Sequence, residues 1–398
     1  MKLSIPTNWD DKLIEYLASS NIQKELEDVY GKLALDELGG GRTASSLVFV
    51  SRKGAKLHIK KLQNIGIKFT YLLNTLCMDN LEFTRVGQNK LRILLSWLVD
   101  IGVDSVTVAN PYVFMWIKNK YPHIAISVSA MSNANSLGRA KFWEELGAEK
   151  ITFPGPAVNR NFPLISLFRQ TLKCKMQLIA NGGCLCNCPT FIGHGLMNSH
   201  ASQHWHRCRG YMFDYYNIMC RLRRLEKPSL FIKSDWIRPE DLNYYENLGI
   251  DSIKLIDRRL STPEIIKIVA AYRNRKYPGN LLDMLPLFQG SSFHRDQGLR
   301  KKIFYLTLPL TRMNPIKILK FSKLFSSINI TIDNAKLDGF IENMPKGCNL
   351  SSCGNCRYCE AAAQNAILAD ENYLKATVEE YHKILDKVFS KGLSFYFS

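Results

Sequence analysis

The chain alternates between short apolar runs rich in β-branched residues and longer stretches whose apolar positions recur with helical spacing. Residues 67–73, 105–109 and 125–129 are such runs, and an amphipathic stretch follows each of them. Further strand candidates are residues 2–5, 26–30, 150–153, 176–180, 229–233 and 252–256. This alternation predicts an α/β fold, and a TIM-type (β/α) barrel over residues 1–279 accommodates the candidates best, because such barrels use about 250 residues.

The alternation of predicted strands and helices ends at a predicted domain boundary. Ser261 begins a capping-box sequence, so a helix is expected over residues 265–272. The Lys-Tyr-Pro-Gly sequence that ends at Gly279 is rich in turn formers, and the strand–helix alternation is lost after it. Residues 280–398 are therefore expected to form a smaller C-terminal α+β domain, with a cysteine cluster and a final amphipathic helix at about residues 361–389.

Composition and charge narrow the class of protein. The 398 residues include 46% hydrophobic and 22% charged residues, which is typical of globular proteins. Lysine and arginine outnumber aspartate and glutamate by 53 to 35, and the net charge of +18 favours anionic partners, either a small molecule or RNA. The chain starts without a secretory signal pattern and has no apolar run long enough to span a membrane, so we expect a cytoplasmic protein. In a reducing compartment, clustered cysteines are metal ligands or redox groups more often than disulfides.

The first cysteine cluster directly follows the strand candidate at residues 176–180. Cys184, Cys186 and Cys188 lie within five residues, and Cys208 and Cys220 follow after a histidine-rich segment. Catalytic loops of a barrel lie at the carboxyl ends of its strands, and four thiolates can hold zinc or an iron–sulfur cluster. Separate buried thiols are the alternative.

The second cluster lies in the predicted C-terminal domain. Cys348, Cys353, Cys356 and Cys359 are separated by four, two and two residues. Such short gaps are typical of loops that wrap an iron–sulfur cluster, and a zinc knuckle uses similar spacing. The sequence therefore predicts a second metal centre and leaves iron–sulfur and zinc open.

Polar residues near the carboxyl ends of the predicted strands are the candidates for catalysis. Arg42 follows a run of three glycines and can clamp a carboxylate or phosphate, as can Arg258 after the last strand. Asn74 ends the third strand. His194 and His200 belong to the histidine-rich segment and are candidates for an acid or base.

Several motifs taken together resemble the collagenase-like peptidase family U32. They are Cys184 to Cys188 with Pro189, the histidines His194 and His200, residues 231–242, residues 249–258, the glycines and arginine of residues 39–42, and Asn74. The resemblance extends over about residues 1–280. The resemblance implies a TIM-like barrel that carries an iron–sulfur cluster. The family it points to includes proteins that hydroxylate a small molecule or an RNA base without oxygen.

The resemblance also implies ligands. Cys184 and Cys188 match the family's cluster ligands, and Cys220 and then Cys208 are the candidates for the other two ligands of a four-iron four-sulfur cluster. Cys186 is an extra thiol that leaves the choice of fourth ligand open. The Glu-x-Phe-x-x-Gly signature of the peptidase and RNA-hydroxylation branches is missing before Cys184, and the C-terminal cluster is not part of the shared barrel. The substrates of those branches therefore do not transfer.

Three classes of function follow. The first is an iron–sulfur oxidoreductase or hydroxylase, which explains both clusters and acts on a small molecule, an RNA base or a peptide. A partner subunit or an electron-transfer protein is compatible with this interpretation. The second is a collagenase-like peptidase, although the sequence has neither a His-Glu-x-x-His motif nor a nucleophile elbow. The third is a zinc-stabilised RNA-binding protein, for which an enzyme-like barrel would be superfluous.

Overall fold

The computed structural model describes residues 1–206, 214–289, 328–345, 348 and 356–392. Cys208 and Cys353, two of the predicted metal ligands, lie outside these ranges. Within them, eight parallel strands close into a barrel in chain order. The strands are β1 (Lys2–Pro6), β2 (Leu26–Gly31), β3 (Phe69–Leu73), β4 (Ser105–Val108), β5 (Ala125–Val128), β6 (Lys150–Thr152), β7 (Lys175–Ile179) and β8 (Ser252–Lys254). The predicted TIM-type barrel is confirmed, and β8 closes it by pairing Lys254 with Ser4 of β1.

Helices surround the barrel and follow the strands. The longer ones are α1 (Asp11–Ser19), α2 (Arg52–Asn64), α3 (Arg85–Asp100), α4 (Pro111–Lys120) and α5 (Leu137–Glu145). They are followed by the single turn α6 (Gly155–Val158), α7 (Phe162–Thr171), α8 (Phe191–Ala201), α9 (Tyr215–Glu226), the single turn α10 (Ser229–Ile232), α11 (Leu242–Asn247) and α12 (Thr262–Arg273). The Glu264 carboxylate accepts the backbone N–H of Ser261 at 2.7 Å, so the predicted capping box starts α12.

The inside of the barrel is polar. Asp28 of β2 accepts hydrogen bonds from Ser4, from Thr70 Oγ1 at 2.7 Å and from Lys150 Nζ at 3.2 Å. Burial by itself raises the pKa of Asp28, but the positive charges of Lys150 and Lys254 outweigh burial and lower it. A buried carboxylate surrounded by buried ammonium groups therefore occupies space that apolar side chains fill in most such barrels.

One predicted strand is wrong. Residues 229–233 form the helical turn α10, in which Lys233 N–H donates to Ser229 O at 3.0 Å. Phe231 and Ile232 are buried in this turn. A short apolar run that is buried on all sides has no periodicity to distinguish a strand from a helical turn, and here it packs against a second core rather than against the barrel.

A second hydrophobic core lies beside the barrel. It combines Ile218 and Leu222 of α9 with Phe231 and Ile232 of α10. Residues from the C-terminal part complete it: Leu281, Leu282, Leu285, Phe288, Ile330, Ile332, Leu337, Phe340, Ile341, Met344, Ala363, Ala366, Tyr381 and Leu385. The segment that follows the first cysteine motif is therefore packed against the C-terminal part of the chain.

The C-terminal helix is divided. The predicted final helix is confirmed as α14 (Glu371–Lys391), but its predicted start at residue 361 is wrong, because residues 361–366 belong to a separate helix, α13 (Tyr358–Ala366). Between them β10 (Ile367–Leu368) pairs antiparallel with β9 (Thr331–Ile332), which interrupts the helix. Asp370 then accepts the N–H of Tyr373 at 2.8 Å and starts α14.

Candidate functional site

Four of the predicted site residues lie at the mouth of the barrel, the end where the strands finish. Arg42 is in the loop after β2, Asn74 follows β3, Cys184 follows β7 and Arg258 follows β8. Asn181 joins the last two of these strand ends, because its side chain accepts the N–H of Ile256 at 2.7 Å and donates to the carbonyl of the same residue. The cysteine loop is thereby held beside the segment that carries Arg258.

Asp257 organises the positive charges of the mouth. Its carboxylate accepts Arg42 Nε at 2.8 Å and Arg259 Nε at 3.0 Å, and the residue is only 2% exposed. Burial raises the pKa of Asp257, but Arg259 and Arg42 outweigh it and hold the pKa well below its usual range. Arg258 is also buried and donates to the carbonyl of Lys32 at 3.3 Å. Two guanidinium groups thus bind one carboxylate, and a third acts on it by its charge.

The glycine loop before Arg42 is fixed by hydrogen bonds of its own. Gly40 N–H donates to Ser202 Oγ at 2.7 Å, and Gly41 N–H donates to Asn74 Oδ1 at 3.3 Å. A Cβ on Gly40 would lie 2.8 Å from the same Asn74 oxygen, so only glycine allows this approach. Asn74 therefore positions the loop that carries Arg42.

A buried network that sequence reasoning missed supports this loop. Asp36 accepts hydrogen bonds from Lys32, from Tyr71 OH at 2.8 Å and from Gly39 N–H at 2.7 Å. Lys32 and Asp36 are both buried. The sequence gives one signal for this pair: Lys32 follows an apolar strand directly, and Asp36 is four residues further on. Charged residues so close to a buried strand are rarely buried themselves unless they are paired.

Three cysteines of the first predicted cluster act on one another electrostatically. Burial raises the pKa of the Cys184 thiol well above its usual range, and the negative charges of Asp235, Cys220 and Cys188 raise it further. Cys188 Sγ lies 3.4 Å from Thr190 Oγ1, and Cys220 Sγ accepts a hydrogen bond from Arg224. The fold thus brings Cys220 of α9 beside the loop that follows β7.

Buried polar atoms without partners surround this cysteine site. Arg224 is fully buried and donates to Gly183 O at 2.6 Å and Ser234 Oγ at 2.9 Å, while its Nε has no hydrogen-bond partner. Asp235 Oδ1 and two nitrogen atoms of Arg160 also lack partners. Burial raises the pKa of Asp235 to about 6, although hydrogen bonds from the backbone N–H groups of Cys184 and Gly183 oppose the increase.

The two predicted histidines differ in their surroundings. His194 Nε2 lies 3.1 Å from Asp214 Oδ1, and the charge of Arg259 acts on the same aspartate, so His194 is connected to the mouth. His200 is stacked on His206 with ring centroids 4.5 Å apart, and its Nε2 is buried without a hydrogen-bond partner. His194 is therefore paired with a carboxylate on which Arg259 acts by its charge, whereas His200 Nε2 has no hydrogen-bond partner.

The predicted metal sites are only partly described. Among residues 1–206, 214–289, 328–345, 348 and 356–392, no group of three or more His, Cys, Asp or Glu side chains is arranged to hold a metal ion. In the C-terminal cluster, Cys348 and Cys359 are half-buried and pack against the second core, whereas Cys356 is exposed. No helix in the described ranges combines the length and the apolar character needed to cross a membrane.

Comparison with known proteins finds a family profile, a curated relative and solved structures that are similar to this chain. The sequence profile of peptidase family U32 matches residues 51–167. A curated protein of Methanocaldococcus jannaschii, named an uncharacterized protease, is 31% identical over 302 residues, which are 76% of this chain and 78% of that protein. Among solved structures, a U32 peptidase is 19% identical with a TM-score of 0.47 and covers 64% of this chain and 91% of its own. A thiamine phosphate pyrophosphorylase of Pyrococcus furiosus is 14% identical with a TM-score of 0.34, over 68% and 96% of the two chains.

Proposed function

The chain belongs to peptidase family U32, and on that premise we propose that it is an iron–sulfur oxidoreductase that modifies an anionic substrate without molecular oxygen. The position of Cys184 and Arg42 at the same end of the barrel carries the proposal. Asn181 holds the cysteine loop beside residues 256–258, and Asp257 of that segment binds Arg42. A thiol site and an anion-binding guanidinium therefore lie at one barrel mouth.

The residues of the cysteine site suit a four-iron four-sulfur cluster by their chemistry. Cys184, Cys188 and Cys220 are soft donors whose charges act on one another, and Cys208 is the candidate for a fourth ligand. The buried Arg224 guanidinium lies beside Cys220, and its positive charge would favour a thiolate-bound cluster, which carries negative charge. Such a cluster, when bound, exchanges single electrons with a substrate or a partner protein.

The remaining groups of the mouth suit the substrate side of the reaction. Oxygen-independent hydroxylation takes its oxygen from water when electrons leave through a redox centre, or from a donor molecule whose anionic groups are held in place. Arg42 and Arg258 are the groups that hold an anion, and the guanidinium fork matches a carboxylate or phosphate. His194, oriented by Asp214, is the group that moves a proton.

Replacing Cys188 by serine is expected to remove the iron of the barrel site. Iron, sulfide and zinc would be measured on protein purified without oxygen, and the iron content should fall by about half if the C-terminal cysteines hold a second cluster. Cys174→Ser is the matched control, because Cys174 lies just before the first residue of β7, at the strand end opposite the cysteine loop. Burial raises the pKa of its thiol to about 12, which disfavours the thiolate that binds a metal. Unchanged iron and an unchanged visible spectrum in the Cys188 variant would refute the assignment.

Replacing Arg42 by lysine is expected to impair conversion of the substrate and to leave the iron content intact. Arg42 binds Asp257 through Nε and the carbonyl of Gly41 through Nη1 at 2.9 Å, a pair of contacts that one ammonium group does not reproduce. Loss of one charged hydrogen bond corresponds to about a tenfold decrease or more. The measurement compares hydroxylated metabolites and RNA in deletion cells that carry either form and grow without oxygen. Equal product from both forms would remove Arg42 from the site.

Peptide hydrolysis is the second candidate function, because the curated relative is named a protease. One arrangement has the order of a nucleophile, a base and an orienting carboxylate: Thr7 Oγ1 lies 2.9 Å from His58 Nε2, and His58 Nδ1 lies 3.1 Å from Asp11 Oδ1. Thr7, however, is 1% exposed and already accepts the N–H of Trp9 at 2.9 Å. A peptide carbonyl does not reach this hydroxyl, so we assign these three residues to the packing of α1 and α2 against β1.

A further inference from the structure

Large apolar side chains are exposed on two neighbouring helices outside the barrel, α3 and α4. Phe83 and Val86, on either side of the first residue of α3, are 62% and 60% exposed. Ile93 of α3 and Met115 of α4 are exposed as well. A single exposed apolar residue is ordinary on a protein surface, but several on adjoining elements mark a binding surface.

Aromatic rings join the two helices into one surface. The ring of Phe83 lies 5.0 Å from that of Tyr112 in α4, and the ring of Tyr112 lies 6.4 Å from that of Trp116, measured between centroids. Gln88 Nε2 of α3 lies 3.5 Å from the hydroxyl of Tyr112. We call the surface of these apolar residues the α3–α4 face: Phe83, Val86, Ile93, Tyr112, Met115 and Trp116.

The charges on the α3–α4 face are positive. The 16 residues of α3 contain three cations and one carboxylate, Asp100, which pairs with Lys56 of α2 at 2.9 Å. The 10 residues of α4 contain two cations and no carboxylate. The face therefore attracts an anionic partner. The exposed cations of the two helices are Arg85, Arg92, Lys118 and Lys120.

This combination of apolar and basic side chains favours a lipid surface over a second copy of the chain. Two copies that met through this face would bring the same cations together, and like charges repel. Anionic lipids instead offer phosphates to the cations and an acyl boundary to apolar side chains, and Tyr and Trp are enriched at that depth. Phe83 and Val86 project far enough from the protein to enter such a boundary, because most of each side chain is exposed.

We propose that the α3–α4 face binds the surface of an anionic lipid bilayer. Phe83 and Val86 enter the boundary between headgroups and acyl chains, and Arg85 and Arg92 contact the lipid phosphates. The contact is peripheral, and it uses no residue of the cysteine site or of the barrel mouth. The inference is therefore independent of the proposed function and goes beyond it.

The test is co-sedimentation of the full-length protein with lipid vesicles. One set contains phosphatidylcholine alone, and the other contains equal amounts of phosphatidylcholine and phosphatidylglycerol. We expect stronger partition into the anionic vesicles. The net charge of +18 also draws the protein to these vesicles, so the deciding variant changes no charge.

That variant is Phe83→Ser combined with Val86→Ser. It is expected to lower the partition coefficient on anionic vesicles about tenfold or more, because two side chains no longer enter the acyl boundary. Leu167→Ser is the matched control, since Leu167 is 42% exposed on α7, another helix outside the barrel. The control should bind the vesicles as the unmutated protein does.

A second variant tests the charges of the face. Arg85→Gln combined with Arg92→Gln should lower the partition coefficient on anionic vesicles about fivefold for each arginine removed. Binding to phosphatidylcholine alone should stay unchanged. Added salt should weaken the binding of the unmutated protein to anionic vesicles, because it screens the same charges.

Three results would overturn the proposal. Equal binding of the serine variant and the unmutated protein would show that net charge alone holds the protein on the vesicles. Failure of the unmutated protein to bind anionic vesicles would leave an acidic protein as the occupant of the face. A change of oligomeric state in the serine variant, measured by analytical ultracentrifugation without vesicles, would show that the face joins two copies of this chain.

Discussion

Asp257→Asn is expected to lower the free energy of unfolding by about 3 to 5 kcal/mol, the cost of removing one partner from a buried ion pair. The carboxylate of Asp257 is shared by Arg42 and Arg259, and Arg258 lies beside it. An amide keeps the shape and removes the charge, so three guanidinium groups would repel one another at the mouth. Urea unfolding followed by circular dichroism would measure the change.

The pH dependence of the same variant has a definite sign. Because the pKa of Asp257 is lowered in the folded protein, its contribution to stability is present above the unfolded pKa of about 3.9 and is lost as the pH falls through the folded value. The variant should lack this part of the acid sensitivity. Asp100→Asn is the control, since Asp100 is 67% exposed and pairs with Lys56 on the surface, where such pairs contribute at most about 1 kcal/mol. Equal losses in the two variants would contradict the prediction.

Lys254→Met is expected to make the protein more stable at pH 7, by about 1 to 4 kcal/mol, because an apolar side chain removes the cost of a buried amine. The folded pKa of Lys254 is about 7, below the value of about 10.4 in the unfolded chain. The unfolded chain therefore binds more protons between these values, and the stability of the unmutated protein rises with pH there, by up to about 1.4 kcal/mol per unit from this residue. Lys150 stays 3.2 Å from Asp28 and keeps that carboxylate paired in the variant.

The measurement is the difference in unfolding free energy between the two proteins from pH 7 to pH 10. The advantage of the methionine variant should shrink as the pH rises, since the penalty of the buried amine is fully present below its folded pKa and is relieved above it. Lys267→Met is the matched control, because Lys267 is 46% exposed and its pKa is raised in the folded protein. A constant difference across this range for Lys254→Met would show that the amine is not desolvated.

Most of the barrel could be predicted from the sequence. Eight of the strand candidates are strands, because a run of apolar residues bounded by turn formers and followed by an amphipathic helix has few alternatives in an α/β chain. The same reasoning predicted that Arg42, Asn74, Cys184 and Arg258 follow strand ends, and the barrel places them at its mouth. Residues 229–233 and the interruption of the final helix at residues 367–370 were missed for one shared reason: their conformation depends on what packs against them. Phe231 meets the second core, and residues 367–368 pair with β9.

The sequence by itself determined the barrel, the order of its strands and the end of the barrel at which the polar loops gather, because these depend on local periodicity and on the fixed direction of parallel strands. Only the tertiary structure decided the electrostatics of the mouth. The contact between Arg42 and Asp257 joins residues that are 215 positions apart, and that between Lys150 and Asp28 joins residues that are 122 apart. No local pattern encodes such pairs. The charge state of Lys254 depends on burial and on Lys150, Asp28 and Arg258 together, and these groups meet only when the barrel closes.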